Sequence, residues 1–419
     1  MNTDRIALLR DRIAGHFLPR APTDLGIAVS GGSDSMGLMH VLHDWARDGG
    51  PRLHAVTVDH GLRPEAAEEA RTVAAHAEKL GISHTCLKWE GWDGHGNLQD
   101  QARRARYRLM ADWAQAQGIT HVVLGHTADD QAETFLMRLS REAGVDGLSA
   151  MSSSRRHGRT IFCRPALRTT REELRNVLRE RNVIWIDDPT NSDTAYARVR
   201  ARKLLAEMAP MGITANTLTT VAHHMEEVRK TLYWYVFLAA REMVSFEAGD
   251  LLIARKEFRT LQNEVKRRLL QSIVMWIGSA EYAPRGRAID LLMESIRGGT
   301  GMTLQGCRVM VEPHQLRVVR EYSAVANMRA PVGEVWDNRW RLTGLVNGDA
   351  LEIRALGPEG LRHCPEWRTS GLPEASQHSG PAVWQGDELI AAPLASFGAG
   401  WQIDLVRDEE DFFASLLSQ

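Results

Sequence analysis

The sequence predicts an α/β protein. Its first half is expected to form a doubly wound, mainly parallel sheet, followed by a helical region and a small β-containing C-terminal module. Two observations predict this fold class. From residue 25 to about 190, short apolar runs bounded by Gly, Asp or Ser alternate with amphipathic stretches, and after about residue 205 the alternation stops. Because the intervening stretches are long enough to be crossover helices, the strands are expected to pair in parallel.

Five apolar runs are the predicted strands of that sheet: LGIAV at 25–29, LHAVTV at 53–58, HTCLKW at 84–89, HVVLG at 121–125 and TIFCRPAL at 160–167. Two intervening stretches carry apolar stripes at helical spacing. The first stripe comprises Leu98, Ala102, Ala105 and Leu109, and the second comprises Ala128, Ala132, Phe135, Leu136 and Leu139. Sheets of this kind bind their ligands at the carboxyl ends of the strands, so a site is expected there.

The pattern of the second half is different. Residues 214–297 are predicted to be helical, most clearly in TLYWYVFLAAREMV at 231–244. Residues 303–321 alternate apolar and polar side chains about a Pro-His turn, which predicts a hairpin. Strand-like pieces rich in Gly and Pro follow from about 330 to 405, and RDEEDFFASLLSQ predicts a short acidic helix at the end. We therefore expect three domains, at residues 1–205, 206–325 and 326–419.

Composition excludes several classes of protein. Of the 419 residues, 43% are apolar and 25% are charged, which excludes wholesale disorder. No run approaches the roughly 18 apolar residues of a membrane span, and the N-terminal stretch lacks the apolar core of a signal peptide. The four cysteines are far apart and form no CxxC pair, which argues against a disulfide scaffold, a zinc ribbon or an iron–sulfur site. We expect a cytoplasmic protein.

The charge is unevenly distributed. Residues 151–205 contain 13 Lys and Arg against 6 Asp and Glu, a local charge of +7 in a chain whose net charge is −2. Such an asymmetry can indicate contact with a nucleic acid. The charge count alone favours the simpler interpretation of solvated helix faces.

The most informative segment lies between the first predicted strand and the following helix: Ser30, Gly31, Gly32, Ser33, Asp34 and Ser35. We call residues 30–35 the phosphate loop. Its small residues let backbone N–H groups approach an anion, and the helix N-terminus adds partial positive charge. The alternative is a tight turn with a Ser or Asp N-cap. The loop is not a Walker A motif, because no Gly-Lys-Ser/Thr follows, and it is not a GxGxxG motif.

SGGSDS resembles the SGGxDS loop of the PP-loop ATP pyrophosphatases, which have an adenine nucleotide alpha-hydrolase-like fold. This resemblance implies cleavage of ATP between its α- and β-phosphates, with a substrate oxygen becoming an adenylate. Further segments resemble the tRNA(Ile)-lysidine synthase family in order and spacing, densely over about residues 22–205 and loosely beyond. They are VDHGLR at 58–63, ARRARY at 102–107, LGHTADDQAET at 124–134, GLSAM at 147–151, RP at 164–165 and DPTN at 188–191.

Each of these segments also has a structural interpretation. The acidic pair Asp129-Asp130 can serve a helix dipole, His126 can be a buried histidine, and Arg103 with Arg106 can be an exposed face. Their joint occurrence after neighbouring strands favours function. The sequence departs from the family at Thr127, where the family commonly has His, so no role is assigned there. It also has Arg198-Val199 in place of an Arg-Asn pair, and GLSAM in place of GLxGM.

The resemblance implies that the chain ligates L-lysine to the C2 position of cytidine 34 in the CAU-anticodon tRNA(Ile), releasing AMP and diphosphate and changing decoding from AUG to AUA. It implies ATP binding by the phosphate loop, with Asp34 holding Mg²⁺ or orienting a phosphate. Asp130, with Asp129 behind it, is expected to place or deprotonate lysine. Arg106 and His126 are expected to contact the cytosine. In these terms residues 1–205 are the catalytic domain and 206–325 a tRNA-binding domain.

The basic segment is then expected to contact tRNA. Seven arginines form a predicted phosphate track: Arg155, Arg156, Arg159, Arg164, Arg168, Arg171 and Arg175. The residues assigned to tRNA binding are Arg103, Arg155, Arg156, Arg168 and Arg171. Two alternatives remain at this point: another PP-loop tRNA-modifying enzyme, such as a thiolase, or a catalytically silent nucleotide-binding protein. The metal ligands and the oligomeric state, for which a homodimer is one alternative, are left open.

Overall fold

The computed structural model describes residues 2–61, 66–90, 98–187, 195–280, 282–344 and 351–418. The chain divides into two compact units, Met1–Arg229 and Lys230–Gln419. The division into three domains at 205/206 and 325/326 stays a prediction. No helix within the described ranges is both long enough and apolar enough to cross a bilayer.

The first unit alternates helices and strands, as predicted. Its strands are β1 (Asp24–Ala28), β2 (Arg52–Asp59), β3 (Ser83–Lys88), β4 (His121–Leu124), β5 (Ser154–His157) and β6 (Thr160–Cys163). Its helices are α1 (Asn2–Ala14), α2 (Ser33–Arg47), α3 (Ala66–Lys79), α4 (Leu98–Ala116), α5 (Ala128–Leu139), α6 (Val145–Leu148), α7 (Arg171–Glu180) and α8 (Ala197–Met208). Helix α9 (Ala215–Met243) contains the boundary between the units.

The described strands of this unit form one sheet in the order β3-β2-β1-β4-β6-β5. All neighbours pair in parallel except β5, which returns antiparallel to β6. The predicted doubly wound, mainly parallel sheet is confirmed. Since the chain leaves β1 toward β2 on one side, and β4 is followed by β6 on the other, the strand order reverses between β1 and β4. A crevice opens at the carboxyl ends at such a point.

Apolar side chains cover both faces of the sheet. Leu25 and Ile27 of β1 pack in one cluster with Leu38 and Leu42 of α2, and all four are fully buried. On the other face, an added Cβ at Gly26 would lie 3.0 Å from the Trp113 ring of α4. Successive strand residues point to opposite faces, so one short strand can pack against a helical layer on each face of the sheet.

The second unit contains strands β7 (Val244–Glu247), β8 (Asp250–Ala254), β9 (Met302–Leu304), β10 (Cys307–Val311), β11 (Gln315–Arg320), β12 (Ala330–Pro331), β13 (Val335–Trp336), β14 (Trp340–Gly344), β15 (Leu351–Ala355), β16 (Pro381–Gln385), β17 (Glu388–Ala391) and β18 (Trp401–Leu405). Its helices are α10 (Arg255–Thr260), α11 (Asn263–Gly278), α12 (Gly286–Arg297), α13 (Tyr322–Val325), α14 (Gly357–Arg362), α15 (Glu374–Ser379) and α16 (Glu409–Leu417). Within its described residues the sheets run β7-β8-β11-β10-β9, β12-β15-β16-β17 and β13-β14-β18.

Two predictions for this unit are confirmed and one is wrong. The hairpin around the Pro-His turn is β10 and β11, with Val311 opposite Leu316, and the acidic terminal helix is α16. The prediction of helix throughout 214–297 is wrong, because β7 and β8 form an antiparallel hairpin inside it. Its two turn residues, Ala248 and Gly249, have φ values of 46° and 84°. Without an Asn-Gly or Asp-Gly pair, the sequence carried only a weak turn signal there.

Helices α2 and α7 approach each other at Gly37. An added Cβ would lie 2.8 Å from Leu174 Cβ and 2.9 Å from the Leu174 carbonyl oxygen. We expect Gly37→Ala to lower the free energy of unfolding of the first unit by about 1–3 kcal/mol, because overpacking against backbone outweighs the helix-propensity gain. Urea denaturation followed by circular dichroism measures this.

Gly286→Ala is the matched control, since no heavy atom lies within 4 Å of an added Cβ at the start of α12. A midpoint as high for Gly37→Ala as for this control would contradict the close approach.

Candidate active site

The phosphate loop follows β1 and folds around Ser35. The Ser30 N–H donates to Ser35 Oγ at 3.1 Å, and Ser35 Oγ donates to the Gly32 carbonyl at 3.1 Å. Gly31 has φ +84°, and an added Cβ would lie 2.6 Å from Ile186 Cδ1, so both conformation and space favour glycine.

The N-terminus of α2 carries no side-chain cap. Gly32 is the N-cap residue and makes no side-chain hydrogen bond to the first turn. The first N–H groups of a helix have no intrahelical acceptor, which makes an uncapped N-terminus suited to an anion. The alternative of a turn capped by Ser or Asp is therefore not what the loop forms.

The end of β4 lies directly against this loop. An added Cβ at Gly125 would lie 3.0 Å from Ser35 Cα and 3.1 Å from Ser35 N. Residues His126 and Thr127, which follow, are therefore close to the N-terminus of α2. The sequence segments that follow β1 and β4 are brought together at the point where the strand order reverses.

An acidic group consisting of Asp34, Asp130 and Glu133 surrounds the guanidinium of Arg171. Arg171 Nε donates to Asp34 Oδ2 at 2.9 Å, and Arg171 Nη2 donates to Asp130 Oδ1 at 3.4 Å. Arg171 Nη1 lies 3.7 Å from Glu133 Oε1. Burial raises the pKa of the Asp34 carboxyl, and the Arg171 charge opposes this rise. Arg171 was predicted to bind tRNA, yet its guanidinium is engaged within the chain.

Hydrogen bonds at the starts of α5 and α7 hold Asp130 and its neighbour Asp129 in place. Thr127 is the N-cap of α5, and its N–H and Oγ1 donate to Asp130 Oδ2 at 2.8 and 3.0 Å. Asp129 Oδ2 accepts a 2.7 Å hydrogen bond from the Arg171 N–H at the start of α7. Thr127, to which the sequence assigned no role, therefore positions Asp130. The T-x-x-D spacing of a capping box was the available signal.

Glu133 is a candidate functional residue that sequence reasoning missed. It is only 1% exposed, and its Oε1 accepts a 2.8 Å hydrogen bond from Arg202 Nε. Its Oε2 is buried with no hydrogen-bond partner among the described residues. Burial raises the pKa of this carboxyl. Its position three residues after Asp130, on the same helix face, was the sequence signal.

A second set of buried polar atoms lies near Arg106 and His126. Arg106 Nε, His126 Nδ1 and His60 Nδ1 are buried and have no hydrogen-bond partner in the described part of the chain. We call these three residues the base pocket. Burial, together with the charges of Arg164 and Arg106, lowers the pKa of His126 to about 3 despite the nearby Asp130. His126 is therefore a neutral imidazole at physiological pH, and each buried orphan atom is suited to a polar ligand.

The predicted phosphate track is only partly a surface feature. Arg164 is buried, and it donates from Nη1 to the Ser152 carbonyl at 2.9 Å and from Nη2 to Tyr107 Oη at 3.2 Å. Arg175 Nε donates to Ser33 Oγ of the phosphate loop at 3.2 Å. With Arg171 also engaged internally, these residues do not form one continuous exposed track.

Three of the other predicted tRNA-binding residues are exposed, namely Arg155, Arg156 and Arg168. Arg155 and Arg156 are successive residues of β5, so their side chains leave opposite faces of that edge strand. Their contact with tRNA stays a prediction.

Two exposed arginines lie beside the base pocket. Arg103 lies 5.5 Å from the centroid of the Tyr107 ring, and its charge, after burial, helps to lower the pKa of the partly exposed Arg106. Arg198, at the start of α8, lowers the pKa values of Arg106 and His126 to a smaller extent than burial does. In the sequence, Arg198 was identified only as the arginine that matches the first residue of the family's Arg-Asn pair.

Several predicted segments lie outside the described residues: Leu62 and Arg63 of VDHGLR, and Asp188 to Asn191 of DPTN. Within the described ranges, no group of three or more His, Cys, Asp or Glu side chains is arranged to hold a metal ion.

This chain is similar in sequence to known proteins over most of its length. The PP-loop domain family matches residues 8–209. A tRNA(Ile)-lysidine synthase of Ruegeria pomeroyi is 48% identical over 410 residues, which cover 98% of each chain. Another from Wolbachia pipientis is 36% identical over 393 residues, with 89% of each chain covered.

A solved U34-tRNA thiolase of Methanococcus maripaludis matches at 13% identity with a TM-score of 0.47, covering 54% of this chain and 80% of its own. A likeness at that level adds nothing to the assignment. The curated relatives confirm the resemblance predicted from the motifs and do not favour the alternatives of another tRNA-modifying enzyme or a silent nucleotide-binding protein. With nearly the whole of both sequences aligned to the Ruegeria protein, this chain belongs to the tRNA(Ile)-lysidine synthase family.

Proposed function

We propose that this chain is the ATP-dependent ligase that joins L-lysine to C2 of cytidine 34 in the CAU-anticodon tRNA(Ile). The carrying observation is that the phosphate loop, the acidic group and the base pocket lie together where the strand order of the sheet reverses. Each of the three suits one participant: the triphosphate, the lysine ammonium and the cytosine.

The phosphate loop supports the first half of the reaction. The uncapped N–H groups of α2 and the serine hydroxyls suit the β- and γ-phosphates of ATP. The cytosine C2 oxygen attacks the α-phosphorus, forming a new P–O bond as the bond to the diphosphate breaks. Diphosphate leaves, and the base carries AMP on its C2 oxygen.

The base pocket supports recognition of the cytosine. Arg106 Nε is a cationic donor with no hydrogen-bond partner among the described residues. It is therefore suited to bind the C2 oxygen of the cytosine, whose charge changes during the reaction. Because His126 is neutral, its unpaired Nδ1 can accept from or donate to the base according to its tautomer. Cytidine 34 has to leave its stack in the anticodon to enter a buried pocket, so we expect it to bind flipped out.

The acidic group supports the second half of the reaction. Asp130 and Glu133 are suited to hold the ε-ammonium of lysine, whose pKa of about 10.4 makes it a poor nucleophile until it loses a proton. Burial raises the pKa of Glu133, which makes its carboxylate a better proton acceptor. The freed amine attacks C2, the C–O bond to AMP breaks, and lysidine is formed.

Mg²⁺ is proposed to enter with ATP. This ion is commonly bound by substrate phosphates, waters and one or two carboxylates. Asp34 fits that role, because its partly exposed carboxylate lies at the first turn of α2 beside the phosphate loop. The ion would offset the charge on the diphosphate. A cytoplasmic location remains a prediction, and the oligomeric state is left open, with a homodimer as one alternative.

The function is tested by incubating the protein with ATP, L-lysine and unmodified tRNA(Ile). We expect AMP and diphosphate in amounts equal to the lysine incorporated, with lysidine at position 34 identified by mass spectrometry. The CAU-anticodon tRNA(Met) is the control RNA. Release of ADP, or lysine incorporation that does not need this tRNA(Ile), would contradict the proposal.

Asp130→Asn is expected to separate the two half-reactions. A hydrogen bond to a charged group is worth about 1.5–3 kcal/mol, so kcat/KM for lysine should fall about 10- to 150-fold. The amide still offers an oxygen to cap α5. Diphosphate release without lysine, which reports adenylation of the tRNA, should change by less than about 3-fold.

Asp112→Asn, an exposed acid on α4, is the matched control and should leave both rates unchanged. If adenylation and lysine transfer fell together in Asp130→Asn, the assignment of Asp130 to lysine would be wrong.

The double variant Arg103→Gln/Arg198→Gln is expected to weaken tRNA binding while leaving ATP affinity intact. If each arginine contacts one phosphate, the slope of log K against log salt should decrease in magnitude by about 1–2. Filter binding at several salt concentrations measures it.

The exposed Arg71 of α3 provides the control variant Arg71→Gln, for which the wild-type slope is expected. An unchanged slope in the double variant would exclude these two residues from the phosphate contacts.

A further inference from the structure

A single guanidinium spans the proposed nucleotide and lysine sites. The three nitrogens of Arg171 face three different carboxylates, those of Asp34, Asp130 and Glu133. The contact with Asp34 is the short one at 2.9 Å, and the contacts with Asp130 and Glu133 are longer, at 3.4 and 3.7 Å. Asp34 therefore anchors a side chain that also pairs with Asp130 and approaches Glu133, whose shorter contact is with Arg202 Nε at 2.8 Å.

The backbone of Arg171 is held on both sides, and its side chain is partly exposed. Asp129 accepts from its N–H, and a Thr170–Glu173 capping box starts α7 at this residue. Three residues later, Leu174 packs against Gly37 of α2. The side chain is 16% exposed, and its guanidinium makes no cation–π contact among the described residues. Because the backbone is the part that is hydrogen-bonded in place, a change in nearby charge is expected to move the guanidinium rather than the helix.

Electrostatics makes the two sites mutually dependent. A lysine ammonium placed on Asp130 and Glu133 would meet the like charge of Arg171, and like charges about 4 Å apart repel each other more strongly in a partly buried site than in water. A triphosphate with its Mg²⁺ still brings a net negative charge next to Asp34. This charge attracts the guanidinium away from Asp130 and Glu133, so that Asp130 and the unpaired Glu133 Oε2 become available to the ammonium while Glu133 Oε1 keeps its contact with Arg202.

We propose that Arg171 is a positioning residue that makes lysine binding depend on the nucleotide. When no nucleotide is bound in the phosphate loop, the guanidinium of Arg171 offsets the negative charge of the proposed lysine site. When the triphosphate binds, the guanidinium turns to the phosphates and the lysine site opens. This inference rests on the proposed function. The exchange of the guanidinium would order the reaction, because lysine binds in its site only after ATP has bound.

The test is equilibrium dialysis of radiolabelled L-lysine with the full chain, with and without Mg²⁺ and α,β-methylene ATP, whose α–β bridge is not cleaved. In the wild type, the nucleotide should lower the Kd for lysine about 5-fold or more, within the usual range of coupling between sites. Arg171→Gln should bind lysine without nucleotide at least about 5-fold more tightly than the wild type does, and the nucleotide should then change its Kd by less than about 2-fold.

A second variant keeps the test decisive if Arg171→Gln does not fold, which its melting curve will show. Asp34→Asn removes the anchor, so the guanidinium should move fully onto Asp130 and Glu133. Lysine should then bind at least about 3-fold more weakly without nucleotide than it does to the wild type, and equal or tighter binding would contradict the inference. Where Arg171→Gln does fold, the effect of Asp34→Asn should vanish in the double variant, because the two residues act through one contact.

Arg179→Gln is the matched control, since Arg179 lies on the same helix and pairs with the exposed Glu172. It should retain the wild-type coupling. An equal nucleotide effect in Arg171→Gln and wild type, no effect in the wild type, or no detectable lysine binding in any of them would overturn the inference. If the wild type still forms lysidine on tRNA(Ile), only the inference fails. If it forms none, the proposed function fails.

Discussion

The site depends on the reversal of strand order between β1 and β4. These neighbouring parallel strands send the chain toward opposite sides of the sheet, so the segments after them diverge and leave a crevice. The crevice stays narrow because Gly125 has no side chain to hold the end of β4 away from Ser35. The phosphate loop and the segment at residues 126–130, about 90 residues later in the sequence, thereby share one site.

Charges in this crevice are separated by type. Carboxylates of the acidic group surround Arg171, whereas the base pocket is neutral at His126 and cationic at Arg106. Buried charges are costly unless they are paired, and removing one partner leaves the other uncompensated. The acidic group, whose carboxylates face the guanidinium of Arg171, therefore suits a cationic ligand that takes the place of that guanidinium. The base pocket, whose nitrogens have no hydrogen-bond partner among the described residues, suits a polar base that supplies those partners.

The N-terminal caps of α5 and α7 position Asp130 of the acidic group and Arg171, which that group surrounds. Thr127 caps α5 and holds Asp130, and Thr170 caps α7 so that Arg171 begins the helix facing the same carboxylates. Both caps are local, with their T-x-x-D and T-x-x-E spacing visible in the sequence. Whether the capped carboxylate also faces a substrate is not determined by the local sequence. It depends on α5 and α7 starting at the same edge of the sheet.

The sequence by itself determined the parallel sheet, the phosphate loop and the family, because apolar periodicity and short motifs are local properties of the chain. It did not predict the β7–β8 hairpin, whose turn lacks a strong signal, nor that Glu133 and Arg198 lie near the candidate site. Only the tertiary structure decided that Arg171 faces three carboxylates and that Arg164 is buried beside Tyr107. An arginine in a basic segment has the same sequence pattern whether it meets solvent or carboxylates, since its partners come from helices that are distant in the chain.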